Sequence, residues 1–233
     1  LYSRIAWSVP LLLGLLIALA FWLGWSPPSL QAQRLALPDN AQSLPQRLVP
    51  LDGIAQVAAG RAHTCALTTA GGVKCWGYNL YGRLGDGTTT QRSTPVAVVG
   101  LGSGVAAIAA GDGHTCALTT AGGVKCWGSN FFGQLGDGTT TGFYEGKNTP
   151  VAVVGLGSGI AAIAAGNRHT CALSTAGGVK CWGDNVSGQL GDGMTTGFYE
   201  GGSIPVDVVG LGSGVAAIAA GGGHTCALST AGG

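Results

Sequence analysis

Three sets of histidine and cysteine recur along this chain at constant spacing: His63, Cys65 and Cys75; His114, Cys116 and Cys126; His169, Cys171 and Cys181. A fourth set opens with His224 and Cys226. Imidazole and thiolate are the usual ligands of structural zinc, so the chemistry to weigh first is metal binding. His63 and Cys65 stand at i and i+2 on one face of an extended strand, and Cys75 lies opposite across a short turn. Zinc asks for four ligands, or three plus water. Each set supplies three and lacks the tight Cys-x2-Cys knuckle. The same cysteine pair, directly opposite in a hairpin, brings Cβ atoms within ~4.5–5.5 Å, which suits a covalent bridge. Disulfides Cys65–Cys75, Cys116–Cys126 and Cys171–Cys181 are therefore the expected state. Reduced thiols packed as small apolar side chains, and the metal site, stand as alternatives; no metal and no other cofactor is expected.

The histidines also invite a catalytic reading, but every copy carries one in the same context, whereas an active site is normally unique. A repeated His beside Thr reads instead as satisfying backbone groups between strands. Trp76, Trp127 and Trp182 read as packing residues by the same logic. Asp86, Asp137 and Asp192, each in Leu-Gly-Asp-Gly, supply one carboxylate per loop. Calcium takes six to eight oxygens, so these read as turn caps. No P-loop, Rossmann fingerprint or His-Glu-x-x-His motif is present, and no catalytic residue is assigned.

The elements that position these residues follow from the repeat. HTCALTTAGGVKCWG begins at His63 and returns at His114 and His169 with small changes, with successive histidines 51, 55 and 55 residues apart. A period this long accommodates one small antiparallel sheet per copy. In the second copy, Pro95 to Val99, Val105 to Ala110, His114 to Leu118 and Val124 to Trp127 read as four strands, the last two joined about a Gly-Gly turn. The small side chains of Val105 to Ala110 allow a neighbouring sheet to approach closely. With 44 Gly in 233 residues and 46% hydrophobic residues, the composition fits many tight turns and a packed core, and excludes collagen and disorder. Net charge is +1, from 11 basic and 10 acidic residues. Such a balance gives no field for phosphate backbones, so nucleic acid is not an expected partner.

Residues 1–26 contain an uncharged stretch, Ile5 to Ser26, preceded by Arg4 and carrying Trp7, Trp22 and Trp25 near its ends. At ~1.5 Å per residue it spans roughly 30 Å as a helix, enough to cross a bilayer. The expectation is a transmembrane anchor through residues 5–26, with a cleaved signal peptide as the rival and a buried core helix as a third reading. Either of the first two places the repeats outside the cytoplasm, anchored to a membrane or secreted. Residues 27–47 are polar and Pro-rich and read as a linker; residues 48–233 carry the repeats.

Three motifs, His-Thr-x-Ala-Leu, Gly-x-Val-x-x-Trp-Gly-x-Asn and Gly-Gln-Leu-Gly-Asp-Gly, follow one another at a period just above 50 residues. Together they resemble the RCC1 repeat, named for the regulator of chromosome condensation. The resemblance runs from about Leu48 to the end, with Arg83 replacing Gln in the first copy. It implies an all-β, RCC1-type β-propeller of seven blades, of which this chain holds three repeats and the start of a fourth. A parallel β-helix or an open solenoid of sheets is the structural alternative. An open arc leaves sheet edges unpaired, so the chain is expected to be a piece of a longer one, with assembly of several chains into a ring as the rival.

If the constant positions are scaffold, function lies where the copies differ. From Asp86 to Pro95 is nine residues; from Asp137 to Pro150 and from Asp192 to Pro205 is thirteen. The longer loops bring Phe143, Tyr144 and Glu145, then Phe198, Tyr199 and Glu200. Exposed aromatics beside a carboxylate suit protein or glycan contacts, while aromatics folded over a blade edge are the plain alternative. Arg61, Asp112 and Asn167 vary just before each His and form a second candidate rim. The expected function is a non-catalytic scaffold binding a protein or glycan through its blade loops. Guanine nucleotide exchange on a small GTPase is what the best-known family member implies, but exchange there depends on a protruding β-wedge. No loop here exceeds its counterparts by more than four residues. A funnel-site enzyme is a third reading.

Overall fold

Short apolar runs separated by glycine turns give strands of five to seven residues and no helix among the described residues. The computed structural model describes residues 52–232, within one compact unit. The expected apolar helix at 5–26 and the linker at 27–47 lie outside the described residues. Among the described residues no helix is long and apolar enough to cross a membrane.

The first sheet holds β1 (Ile54–Ala59), β2 (His63–Thr68), β3 (Val73–Gly77) and β4 (Arg92–Ala97), in that order. The second holds β5 (Val105–Ala110), β6 (His114–Thr119), β7 (Val124–Ser129) and β8 (Gly146–Ala152). The third holds β9 (Ile160–Ala165), β10 (His169–Ser174), β11 (Val179–Asp184) and β12 (Gly201–Asp207). A two-stranded sheet, β13 (Val215–Ala220) with β14 (Thr225–Ser229), follows. All pairings are antiparallel. These are propeller blades with β1, β5, β9 and β13 innermost, and successive inner strands touch, as their Ala-rich faces allow. Gln56 reinforces that contact: its amide gives to Ile108 O at 3.0 Å and takes from Ile108 N at 3.0 Å.

One assignment shifts. The run read as opening the second copy closes the first sheet instead, with Lys74 paired to Ala97 and Cys75 to Val96. The strand ends at Ala97 because the chain then turns inward, with Leu101 N bonding Val98 O at 3.2 Å and both side chains entering the core.

That core lies between blades. Leu67, Val73, Leu84, Val98 and Leu101 of the first blade pack with Val105, Ile108, Ala117 and Trp127 of the second in one buried cluster. The second and third blades repeat the arrangement around Leu135, Val153 and Trp182. Gly111 shows how tight the inner contact is. A Cβ there would lie 2.4 Å from Gly166 O and as close to the His114 ring, so no larger residue fits.

The hairpin cysteines face each other as expected, Cys65 with Cys75, Cys116 with Cys126 and Cys171 with Cys181, and all three pairs are disulfides. Their sulfurs are therefore not available to a metal. Among the described residues no group of three or more His, Cys, Asp or Glu is arranged to hold one. On the chain-entropy account a loop this short contributes roughly 2–3 kcal/mol. Replacing Cys116 and Cys126 together by Ser should lower blade stability by about that much, read as a shift of the urea midpoint. An unchanged midpoint would show that the bridge only decorates a hairpin already fixed by its ladder.

Candidate functional site

The constant residues of each repeat are consumed in joining one blade to the next. His63 Nε2 lies 2.8 Å from Thr115 Oγ1, His114 Nε2 2.9 Å from Thr170 Oγ1, and His169 Nε2 3.0 Å from Thr225 Oγ1. Each threonine hydroxyl donates its only proton to a carbonyl: Thr115 to Arg83 O, Thr170 to Gln134 O, Thr225 to Gln189 O. The hydroxyl must then accept from the imidazole, which fixes the neutral tautomer with the proton on Nε2. Nδ1 of His63, His114 and His169 is buried with no hydrogen-bond partner among the described residues. Burial pushes His63 and His114 down to about 3, helped by Arg83 near both and by neighbouring histidines at His114. His169 is also lowered, by burial first, with Asp184 opposing. These three histidines thus bind the next blade's side chain rather than backbone groups.

Tryptophan uses the same carbonyls. Trp127 Nε1 donates to Arg83 O at 2.9 Å and Trp182 Nε1 to Gln134 O at 2.9 Å, and both indoles are fully buried. The residue before each Leu-Gly-Asp-Gly therefore carries an interblade junction on its main chain, which leaves its side chain free to vary. Buried Asn79, Asn130 and Asn185 hold that loop in shape, accepting from the backbone N of Leu84, Leu135 and Leu190 and donating to Asp86, Asp137 and Asp192. The aspartates also take the backbone N–H two residues on, as turn caps do.

The variable loops are placed differently. Phe143, Tyr144, Phe198 and Tyr199 are 52%, 75%, 83% and 68% exposed, so they do not fold over a blade edge. The rings of Phe143 and Tyr199, from successive blades, converge on Phe131, at centroid distances of 4.4 and 6.1 Å, and lie 6.0 Å from each other. Tyr144 lies 5.8 Å from Phe143. Tyr199 has φ 74°, the one non-glycine positive φ among the described residues. A bulky residue in that region is strained, and such strain concentrates at contact sites. Glu145 and Glu200 are turned inward to their own loops, each accepting from the glycine N–H three residues earlier, Gly142 and Gly197.

Arg61, Asp112 and Asn167 do form a line across three blades. Arg61 Nη1 is 3.4 Å from Asp112 Oδ2, and Asp112 N donates to Asn167 O at 3.3 Å. Between this line and the aromatic loops runs a cleft of about 300 Å³, lined also by Tyr78, Tyr81, Arg83, Phe132 and Arg168. The Arg83 guanidinium carbon lies 5.2 and 5.0 Å from the centroids of Tyr78 and Tyr81, and that of Arg168 lies 4.9 Å from Phe132. Sequence reasoning missed these cleft residues although the copies differ there: Tyr78 stands opposite Ser129 and Asp184, Tyr81 opposite Phe132 and Ser187, and Arg168 where the first two copies have Ala62 and Gly113. The signal that singled out the loops was therefore present at the cleft too, and only the departure of Arg83 from Gln was noticed.

Sheets stacked about inner strands, with constant residues spent on the joints between them, define a β-propeller. The regulator of chromosome condensation (RCC1) repeat model matches residues 70–118, 121–173 and 176–228, and a second RCC1 repeat model matches 54–83, 105–134 and 160–189. The chain belongs to the RCC1 repeat family. It is 38% identical over 159 residues to the probable E3 ubiquitin-protein ligase HERC3 of Homo sapiens, covering 66% of this chain and 15% of that protein. To the ultraviolet-B receptor UVR8 of Arabidopsis thaliana it is 36% identical over 168 residues, 70% of this chain and 37% of the receptor. Among solved structures it resembles yeast RCC1 (Prp20) bound to Kap60, with a TM-score of 0.64 and 26% identity over 76% of this chain and 42% of that one. The chain thus spans less than half the length of each of these relatives.

Proposed function

We propose that this chain is a non-catalytic interaction scaffold that binds a protein partner through its blade loops, on the extracytoplasmic side of a membrane. The observation that carries the reading is the convergence of Phe143 and Tyr199, from two successive blades, beside exposed Tyr144 and Phe198. Large exposed aromatics on rigid supports are the usual anchors of protein interfaces. A protein ligand is preferred to a glycan because the solved relative at 26% identity is a propeller in complex with a protein, Kap60. Export is supported by the uncharged segment 5–26 and by a disulfide in each complete hairpin, a bond that persists in oxidising compartments. Exchange on a small GTPase is the second reading, favoured by the likeness to RCC1 itself.

The test is affinity capture from the extracytoplasmic fraction with the full chain and with a Phe143→Ala, Tyr144→Ala, Phe198→Ala, Tyr199→Ala variant. The variant should keep its melting temperature and lose roughly 100-fold in affinity for the captured partner, as expected when two or more anchors are truncated. Equal capture by both forms would remove these loops from the interface, and catalysis of nucleotide release from a small GTPase would favour the second reading.

A further inference from the structure

Arg83 occupies a position filled by Gln in the next two blades, and the substitution changes what that side chain does. Gln134 and Gln189 fold back on their own loops, each accepting from the backbone N two residues earlier, Phe132 and Ser187, at 2.9 Å. A guanidinium has no acceptor atom, so Arg83 cannot make that bond. It reaches the wall of the cleft instead, flanked by Tyr78 and Tyr81, and Nη1 donates to Asp112 O at 3.1 Å. The side chain is only 3% exposed, and its Nε has no hydrogen-bond partner among the described residues. A buried guanidinium with a donor unspent is costly to maintain without an anion. The Asp112 carboxylate supports the Arg83 charge through space, but it is paired to Arg61 at 3.4 Å and Arg83 reaches only the Asp112 backbone O.

The surroundings define the anion that fits. Arg61, Arg83 and Arg168 line the cleft against the single acid Asp112, a local excess of two positive charges on a chain whose net charge is +1. Charge so confined suits one anionic group rather than a polyanion tracked along a surface. The other walls are rings, those of Tyr78, Tyr81, Phe131, Phe132 and Phe143. The ligand must therefore carry its charge on an apolar stem, which inorganic anions lack.

We infer that the cleft, lined by residues of the first three blades, is a receptor for a side-chain carboxylate on an acidic, aromatic-flanked segment of the partner protein, with Arg83 contacting the carboxylate. This deepens the scaffold reading and rests on it. The guanidinium fork offers paired donors to a carboxylate, a geometry that Lys does not reproduce.

The test uses NMR titration of the full chain with three probes: the capped tripeptide Phe-Glu-Phe, its Phe-Gln-Phe counterpart, and inorganic phosphate. The Glu peptide should shift the Arg83 side-chain resonance saturably and bind roughly 10-fold tighter than the Gln peptide, as a charge-assisted pair requires. Arg83→Gln restores the residue natural to this position in the neighbouring blades, so it should fold normally and bind both peptides equally. Arg83→Lys should recover only part of the preference. Equal binding of the two peptides by the native chain, or an unchanged preference in Arg83→Gln, would overturn the inference. So would phosphate binding as tightly as the Glu peptide, which would mark a free-anion site. Loss of partner capture in the aromatic-loop variant alongside indifference of Arg83→Gln would leave the scaffold standing and remove only this receptor.

Discussion

Lowering the pH from 6.5 to 4.5 should cost the propeller roughly 5 kcal/mol of stability through two histidines alone. His63 and His114 are buried, hold their proton on Nε2, and present Nδ1 to surroundings with no acceptor. Protonating the folded state would bury a charge and strand an N–H, so their pKa values fall from 6.5 to about 3. The unfolded chain has no such constraint and titrates near 6.5. Above that value both states are neutral at these rings and the stability is fully present. Below it the unfolded state takes up protons that the folded state refuses, and stability falls by about 1.4 kcal/mol per pH unit per histidine until the folded pKa is reached. His169 shifts the same way and adds to the loss. Urea titrations between pH 6.5 and 4.5 check this, because most carboxylates are still ionised in that window. His114→Gln keeps an N–H for Thr170 and cannot titrate, so its slope should be shallower by about 1.4 kcal/mol per pH unit. A stability flat across the window would show that the rings gain solvent or an acceptor when protonated.

The same histidines show how far the sequence carried. Their recurrence at a fixed period argued for a structural role, which the interblade bonds bear out, and the hairpin geometry of the cysteines gave the disulfides. Both inferences needed only contacts within one repeat. The partner of each histidine was read wrongly as backbone, because the true partner, a threonine hydroxyl, belongs to the next blade more than fifty residues on. The carbonyls of Arg83, Gln134 and Gln189 were invisible for a related reason. Every residue has a carbonyl, so no residue type reports which one becomes a joint. Strand phase failed locally, because a short β-branched run signals a strand without saying which sheet receives it; only pairing with β3 decides that.

The candidate site divides along the same line. Length differences between loops pointed to the aromatics, and their exposure follows from there being too much apolar surface in a short loop to bury against one blade edge. What they converge on, Phe131, and the cleft behind them depend on how blades stack. Glu145 and Glu200 looked like ligand groups beside aromatics, yet each closes its own turn, an intraloop bond that the Gly-x-x-Glu spacing in both loops already permits.

Trp127→Ala should be the most damaging single truncation in the first two blades, lowering stability by roughly 3–5 kcal/mol. The indole is fully buried in the cluster that joins the blades, which also holds Leu84, Val98 and Leu101 of the first blade and Val105 and Ile108 of the second. Removing it opens a cavity that turn-bound neighbours cannot fill, since Gly85, which abuts the indole, is held by its turn: a Cβ there would lie 2.8 Å from Trp127 Nε1. It also strips one of the two donors from Arg83 O, leaving Thr115 alone at the joint. Trp127→Phe separates these effects: most of the volume stays, the N–H is lost, and the cost should fall to about 1 kcal/mol. Trp76 occupies the equivalent place on the first blade but is only half-buried, so Trp76→Ala should cost far less than Trp127→Ala. Because stacked repeats are coupled mainly to their neighbours, the damage in Trp127→Ala should be local. Hydrogen exchange should show protection lost first in β1 to β4, with β9 to β12 retained. Uniform loss across all blades would mean that the array unfolds as one cooperative unit and that the interblade joints are not its weakest links.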